Sequence, residues 1–269
     1  MARGLAGEVA ALGSVRAGRL PHLVDASGWV EALRILKTPI EVENHRRAAA
    51  LATVGLDAAL EAVQRGEAER QIYAAAASAM LARACQPDLA DEPVAVGGNA
   101  IVGPRTASLH FPATGARPRP GDLVFVVLVA SVGGSWCELS RTVVAGGQAS
   151  EEQARIFHAV ARANEAARAC LRPGVPAHEV DRAARQALEA VGFSADVQPM
   201  RTGHGLGFSG GAEAPQLGAA DPTPLEATMV VSVEPSICIP GLGGVCWADN
   251  FVVTESGAEQ LSNYPVVVP

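Results

Sequence analysis

Gly203-His204-Gly205-Leu206-Gly207 sets one histidine among glycines at every second position. Glycine lets a backbone run close against a neighbour, so the segment can pass near a ligand while the imidazole projects into a cleft. A histidine satisfied inside a core is the plainer alternative. Two familiar glycine patterns overlap the stretch, and both fail on context. Gly205, Gly207 and Gly210 fit G-x-G-x-x-G, yet Glu213-Ala214-Pro215 and then Asp221-Pro222 follow, so no phosphate-binding helix opens there. Gly207-Phe208-Ser209-Gly210-Gly211 fits G-x-S-x-G but lacks the helix that a nucleophile elbow needs after its serine.

Working outward, Glu234 ends the apolar run Met229-Val230-Val231-Ser232-Val233 and precedes Pro235. A carboxylate buried in such a strand must be paired, protonated or metal-bound, and a structural ion pair is the bland version of that rule. His110, Glu138 and Asp249 are polar groups of the same kind, inside or beside apolar strands. Trp136 and Trp247 flank these positions and, with Phe208, are expected to wall a pocket or to fill the core. Cys137 and Cys246 stand beside them too, where the commoner role of cysteine is that of a small buried hydrophobe. His45, His158 and His178 lie among charged residues on predicted helices and are expected at the surface.

The segments between these positions alternate in kind. Thr38-Pro39 opens a helix over Ile40 to Val63, and a second runs from near Glu67 to Ala84. Val94 to Ile101, Ser108 to Phe111 and Asp122 to Ala130 read as strands. The second half repeats the order, with helices at Ser150 to Leu171 and Pro176 to Val191. Strands follow near Asp196 to Met200, Thr228 to Ile237 and Asn250 to Thr254. The order predicts an α/β fold built as a pseudo-twofold repeat of a helix pair plus antiparallel strands, with a site where the two sheet halves meet. Residues 1–37 read as a short N-terminal extension and 38–269 as the domain.

Composition sets bounds on function. Hydrophobic residues make up 49% and charged residues 18% of the 269, and the net charge is −7, a balance that does not suit nucleic-acid binding. The five cysteines form no C-x-x-C pair, and neither a secretory leader nor a membrane span of roughly 20 apolar residues can be drawn. A cytoplasmic protein with no membrane partner is the expectation.

Four motifs carry a family resemblance. Gly121-Asp122 through Val127 to Cys137-Glu138-Leu139-Ser140-Arg141-Thr142 resembles the first ligand hairpin of the pita-bread family that includes creatinase, aminopeptidase P and methionine aminopeptidase. Gly203 to Gly207 resembles that family's G-H-G-[IL]-G segment, and Glu213-Ala214-Pro215 its E-x-P. Ser232-Val233-Glu234-Pro235 is similar to its S-x-E-P, and Gly243-Gly244-Val245-Cys246-Trp247-Ala248-Asp249 to its G-G-V-R-x-E-D. The resemblance runs from Ile40 to Leu261. It implies that Val127, Glu138, His204, Glu234 and Ala248 occupy the family's five ligand positions, two of them without a ligand side chain. It further implies that His110 falls where creatinase and aminopeptidase P carry a functional histidine.

Creatinase works without metal, and this site pattern resembles creatinase most. The expected function is therefore a metal-independent hydrolase, lyase or cyclase acting on a small polar, nitrogen-rich or cationic molecule. His110, Glu138, His204 and Glu234 would be its catalytic set, Trp136, Phe208, Trp247 and Asp249 its substrate contacts, and it would need no cofactor. A homodimer is also expected, and ordinary two-metal aminopeptidase activity is not. Two alternatives stand beside this reading: a mononuclear-metal hydrolase or peptidase using Glu138, His204 and Glu234, and a non-catalytic pseudo-peptidase binding module.

Overall fold

The computed structural model describes residues 28–265. Contacts divide the chain between Leu33 and Arg34. Of the first unit only residues 28–33 are described, where the Ala32 N–H donates to the Gly28 carbonyl at 3.0 Å at the start of helix α1 (Trp29–Arg34). The expected extension, 1–37, therefore falls largely outside the described residues.

The second unit opens with α2 (Pro39–Gln64), and the sequence explains its start. Thr38 caps the helix and Glu41 returns the bond to the Thr38 N–H at 2.7 Å, a capping box followed by proline at the first turn. Helix α3 (Glu69–Ala84) packs on α2. Strands β1 (Val94–Val102), β2 (Leu123–Val132) and β3 (Ser135–Val144) form an antiparallel meander in spatial order. Its register sets Val129 opposite Glu138 and Val127 opposite Ser140. Leu51, Leu56, Ile72, Met80, Val126 and Leu128 share one core between the helix pair and this sheet.

Helices α4 (Glu151–Ala169) and α5 (Ala177–Glu189) open the second half. Five strands follow, with Gly257–Gln260 and Glu213–Leu217 at the edges of their sheet and Val230–Val233 at its centre. They are β4 (Gly203–Gly205), β5 (Glu213–Leu217), β6 (Val230–Val233), β9 (Asp249–Thr254) and β10 (Gly257–Gln260). A separate hairpin joins β7 (Ser236–Ile239) to β8 (Gly243–Cys246). Phe157, Val160, Leu188, Val231, Trp247 and Phe251 belong to the second core. The chain is thus a mixed α/β protein of pita-bread architecture, with one helix pair on the three-stranded sheet and another on the five-stranded one. An isolated antiparallel bridge between Ser140 and Ala248 ties β3 to the turn between β8 and β9.

Two expected strands are not strands. Ser108 to Phe111 is turn, preceded by a 3-10 helix at Gly103–Ala107 that Arg105 anchors to Glu69 at 2.6 Å. Asp196 to Met200 gives way to a 3-10 turn at Ala195–Val197, because the Ser194 hydroxyl and carbonyl take the N–H groups of Asp196 and Val197. The expected strand over Thr228 to Ile237 is two strands, broken at Glu234-Pro235.

Candidate metal centre

Three side chains from three segments converge between the sheets. Glu138 comes from the middle of β3, His204 from the middle of β4, and Glu234 from the break after β6. One potential ligand atom from each lies within 4.8 Å of the other two. His204 Nε2 is 3.2 Å from Glu138 Oε2 and 3.5 Å from Glu234 Oε1. The other ring nitrogen, Nδ1, sits 2.9 Å from the Gly205 carbonyl. A proton on Nδ1 donated to that carbonyl leaves the Nε2 lone pair facing the carboxylates, the tautomer a metal ligand requires.

The backbone around each group is held in turn. The Asn250 side chain clamps the Glu138 peptide from both sides, accepting its N–H at 3.0 Å and donating to its carbonyl at 2.7 Å. The Glu234 N–H donates to the Thr202 carbonyl at 2.7 Å. Sequence reading missed Asn250 and Thr202. Asn250 directly follows the quoted motif, but its partner is in another strand and leaves no local pattern.

Electrostatics at the trio favour an added cation. Burial, followed by the charge of Glu138, pushes the Glu234 carboxyl far above the carboxylate range. Burial alone would lower His204, but the Glu138 hydrogen bond and the charges of Glu234 and Glu138 outweigh it and raise the imidazole above its ordinary value. Glu234 Oε1 is buried without a hydrogen-bond partner. An orphaned buried oxygen beside a second carboxylate and an imidazole fits a divalent ion, which would satisfy the oxygen and offset both negative charges. The donor set suits zinc or manganese. Val127 and Ala248 supply no ligand atom. Val127 packs with Ile101, Leu109, Phe125 and Cys246, and Ala248 is fully buried with its N–H 2.9 Å from Ser140 Oγ. Among the described residues, Glu138, His204 and Glu234 therefore fit one ion.

The other sequence candidates lie in different settings. His110 is exposed, its Nε2 3.0 Å from Met200 Sδ and not joined to the trio. Asp249 is buried against Arg141 at 2.9 Å and accepts from Ser262 at 3.0 Å. Trp247 is core, its ring 5.9 Å from that of Phe157. Trp136 is half-buried and its N–H donates to the Gly207 carbonyl at 2.9 Å. Phe208 is exposed beneath the Arg34 guanidinium. His45, expected at the surface, is buried with Nδ1 2.7 Å from the Trp136 carbonyl, and burial lowers its pKa to about 4.

Two helix-backed sheets thus bring two glutamates and a histidine together as a group that could hold a metal ion. Residues 43–255 match metallopeptidase family M24, and the chain belongs to that family. It is 33% identical over 233 residues to an Xaa-Pro dipeptidase of Pyrococcus furiosus, covering 87% of this chain and 64% of that protein. It is 32% identical over 255 residues to a probable dipeptidase of Mycobacterium bovis, covering 94% of this chain and 65% of the relative. The solved prolidase of P. furiosus superposes with a TM-score of 0.80 at 31% identity, over 89% of this chain and 68% of that one. The chain thus spans slightly less than two thirds of the length of these curated relatives.

These relatives correct the functional expectation. A metal-independent creatinase-like hydrolase, lyase or cyclase, and equally a pseudo-peptidase, are overturned by membership of a metallopeptidase family, several matching members of which are named dipeptidases. The expectation of a non-peptidase hydrolase or lyase, with ordinary two-metal aminopeptidase activity set aside, is overturned by the same relatives, while the mononuclear-metal peptidase alternative agrees with them better. No helix among the described residues is long and apolar enough to cross a membrane.

Proposed function

We propose that this chain is a metal-dependent peptidase of the dipeptidase type, working with a single divalent ion held by Glu138, His204 and Glu234. The observation that carries the reading is the convergence of those three side chains around a buried Glu234 oxygen that has no hydrogen-bond partner. The Xaa-Pro dipeptidase and prolidase names of relatives support a dipeptide ending in proline as the substrate class. When bound, the ion would supply Lewis-acid polarisation of the scissile carbonyl. The chain's own groups have separate tasks. His204 keeps its Nδ1 proton on the Gly205 carbonyl and so presents Nε2 inward. Glu138 is the less buried of the two glutamates, with side-chain exposure of 19% against 12%. That exposure makes Glu138 the carboxylate better placed to take a proton from water. The apolar group around Val127 excludes water on the flank of the hairpin. The expected homodimer is a further proposal, supported by the family resemblance and checked by sedimentation.

Metal content by mass spectrometry, on protein purified without chelator, tests the reading alongside hydrolysis of an Xaa-Pro dipeptide. Wild type should hold about one ion per chain and cleave the dipeptide, and Glu234→Ala should do neither. A wild-type chain that stays empty and inactive after addition of zinc, manganese or cobalt would overturn the proposal.

A further inference from the structure

Strand β4 is three residues long and carries His204 at its centre, so neighbouring groups must fix its position. Thr202, immediately before it, is fully buried and every polar atom it owns is used. Its N–H lies 3.0 Å from Asp181 Oδ1 and 2.9 Å from the Leu217 carbonyl. Its hydroxyl donates to the same Asp181 oxygen at 2.8 Å and accepts from Gln198 Nε2 at 2.8 Å. Its carbonyl accepts the Glu234 N–H at 2.7 Å. One residue is therefore bonded to the backbone of one ligand candidate and stands two positions from another.

Asp181 is 1% exposed on α5, and its second oxygen takes Arg185 Nε at 2.8 Å. Arg185 in turn donates to the carbonyls of Gln198 at 3.2 Å and Met200 at 2.8 Å, in the segment leading to Thr202. Docking a helix on a sheet does not need a buried carboxylate, since an apolar pair of equal volume would avoid its desolvation cost. A carboxylate adds direction, because its bonds fix where Thr202 sits. We propose that Asp181, acting through Thr202, is a positioning residue that sets His204 and Glu234 at the separation an ion requires. Its functional meaning rests on the metal-dependent reading above.

The test compares Asp181→Asn, Thr202→Val and Thr202→Ser by calorimetric titration with zinc alone and manganese alone. Glu69→Gln, which disturbs a buried carboxylate network in the other half of the fold, controls for general destabilisation. Asp181→Asn and Thr202→Val should weaken binding roughly 10-fold, as loss of a group behind a metal ligand does. Thr202→Ser should bind as wild type, and Glu69→Gln should lower Tm without moving Kd. Unchanged Kd in both Asp181→Asn and Thr202→Val would overturn the inference. If wild type binds neither ion, the proposed function fails, and amide exchange on the metal-free chain decides the positioning role. Faster exchange of the Glu234 N–H in Thr202→Val than in Glu69→Gln upholds it, and equal rates overturn it.

Discussion

Arg141 shows how a residue beside the site serves the fold. Its guanidinium donates to Asp249 at 2.9 Å and to the carbonyls of Ser140, Ala248 and Tyr264 at 2.8, 3.1 and 2.8 Å, bridging the hairpin of the first half to the second half and to residues near Pro265. Arg141 and Asp249 are both almost fully buried, and removing one partner strands the other charge. Arg141→Ala should therefore lower the unfolding free energy by about 3–5 kcal/mol in urea denaturation, and a loss below about 1 kcal/mol would show the pair to be dispensable. Asp249 was legible as a buried acid, but not as the partner of Arg141, because the two are 108 positions apart. Trp247 fills the core, the second of its two expected roles, for a geometric reason. Its neighbour Ala248 faces Ser140, while its own ring turns to Phe157 on α4, and sequence adjacency to a site position does not choose the face. Glu138, His204 and Glu234 stood out in the sequence because each is a polar residue within or at the end of an apolar or glycine-rich segment.

At the scale of elements, β4 depends on the absence of side chains. A Cβ on Gly203 would meet the Ser232 carbonyl oxygen at 2.0 Å, and one on Gly205 would meet the Ala214 carbonyl oxygen at 2.0 Å. These are the strands on either side, so Gly203→Ala or Gly205→Ala must push β4 away from β6 or β5 and carry His204 with it. Either variant should lose metal binding in the titration described above, while near-wild-type binding would show that the sheet yields without moving the imidazole. A milder change belongs to the start of α2. Thr38→Ala removes the capping box and should cost about 1 kcal/mol, read as a lower Tm with the metal affinity unchanged. The long helices were legible to within two residues at most ends, since caps and periodicity are local signals. Strands β4 and β5 were not, being short, poor in β-branched residues and held by tertiary pairing alone.

Across the whole molecule, the pseudo-twofold repeat was readable from the order of elements, whereas the bonds that hold loops onto each half were not. In the first half Glu69, fully buried at the start of α3, accepts from Arg105 at 2.6 and 2.7 Å, from the Val102 N–H at 2.8 Å, and from Thr114. It thereby fixes both the Gly103–Ala107 turn and the start of the Pro112–Gly121 stretch to the helix pair. Burial works against its ionisation, but the bonds from Thr114, Arg105 and Val102 outweigh that effect and hold its pKa below the ordinary 4.5. A carboxyl depressed on folding contributes stability that is complete above its unfolded pKa and is lost as the pH falls through its folded one. The gap in unfolding free energy between wild type and Glu69→Gln should consequently be widest near neutral pH and should close as the pH drops below about 4.5. Urea denaturation of both chains across that range measures it. A gap that stays constant into acid would mean that Glu69 stabilises the fold by shape and hydrogen bonding and not through its charge.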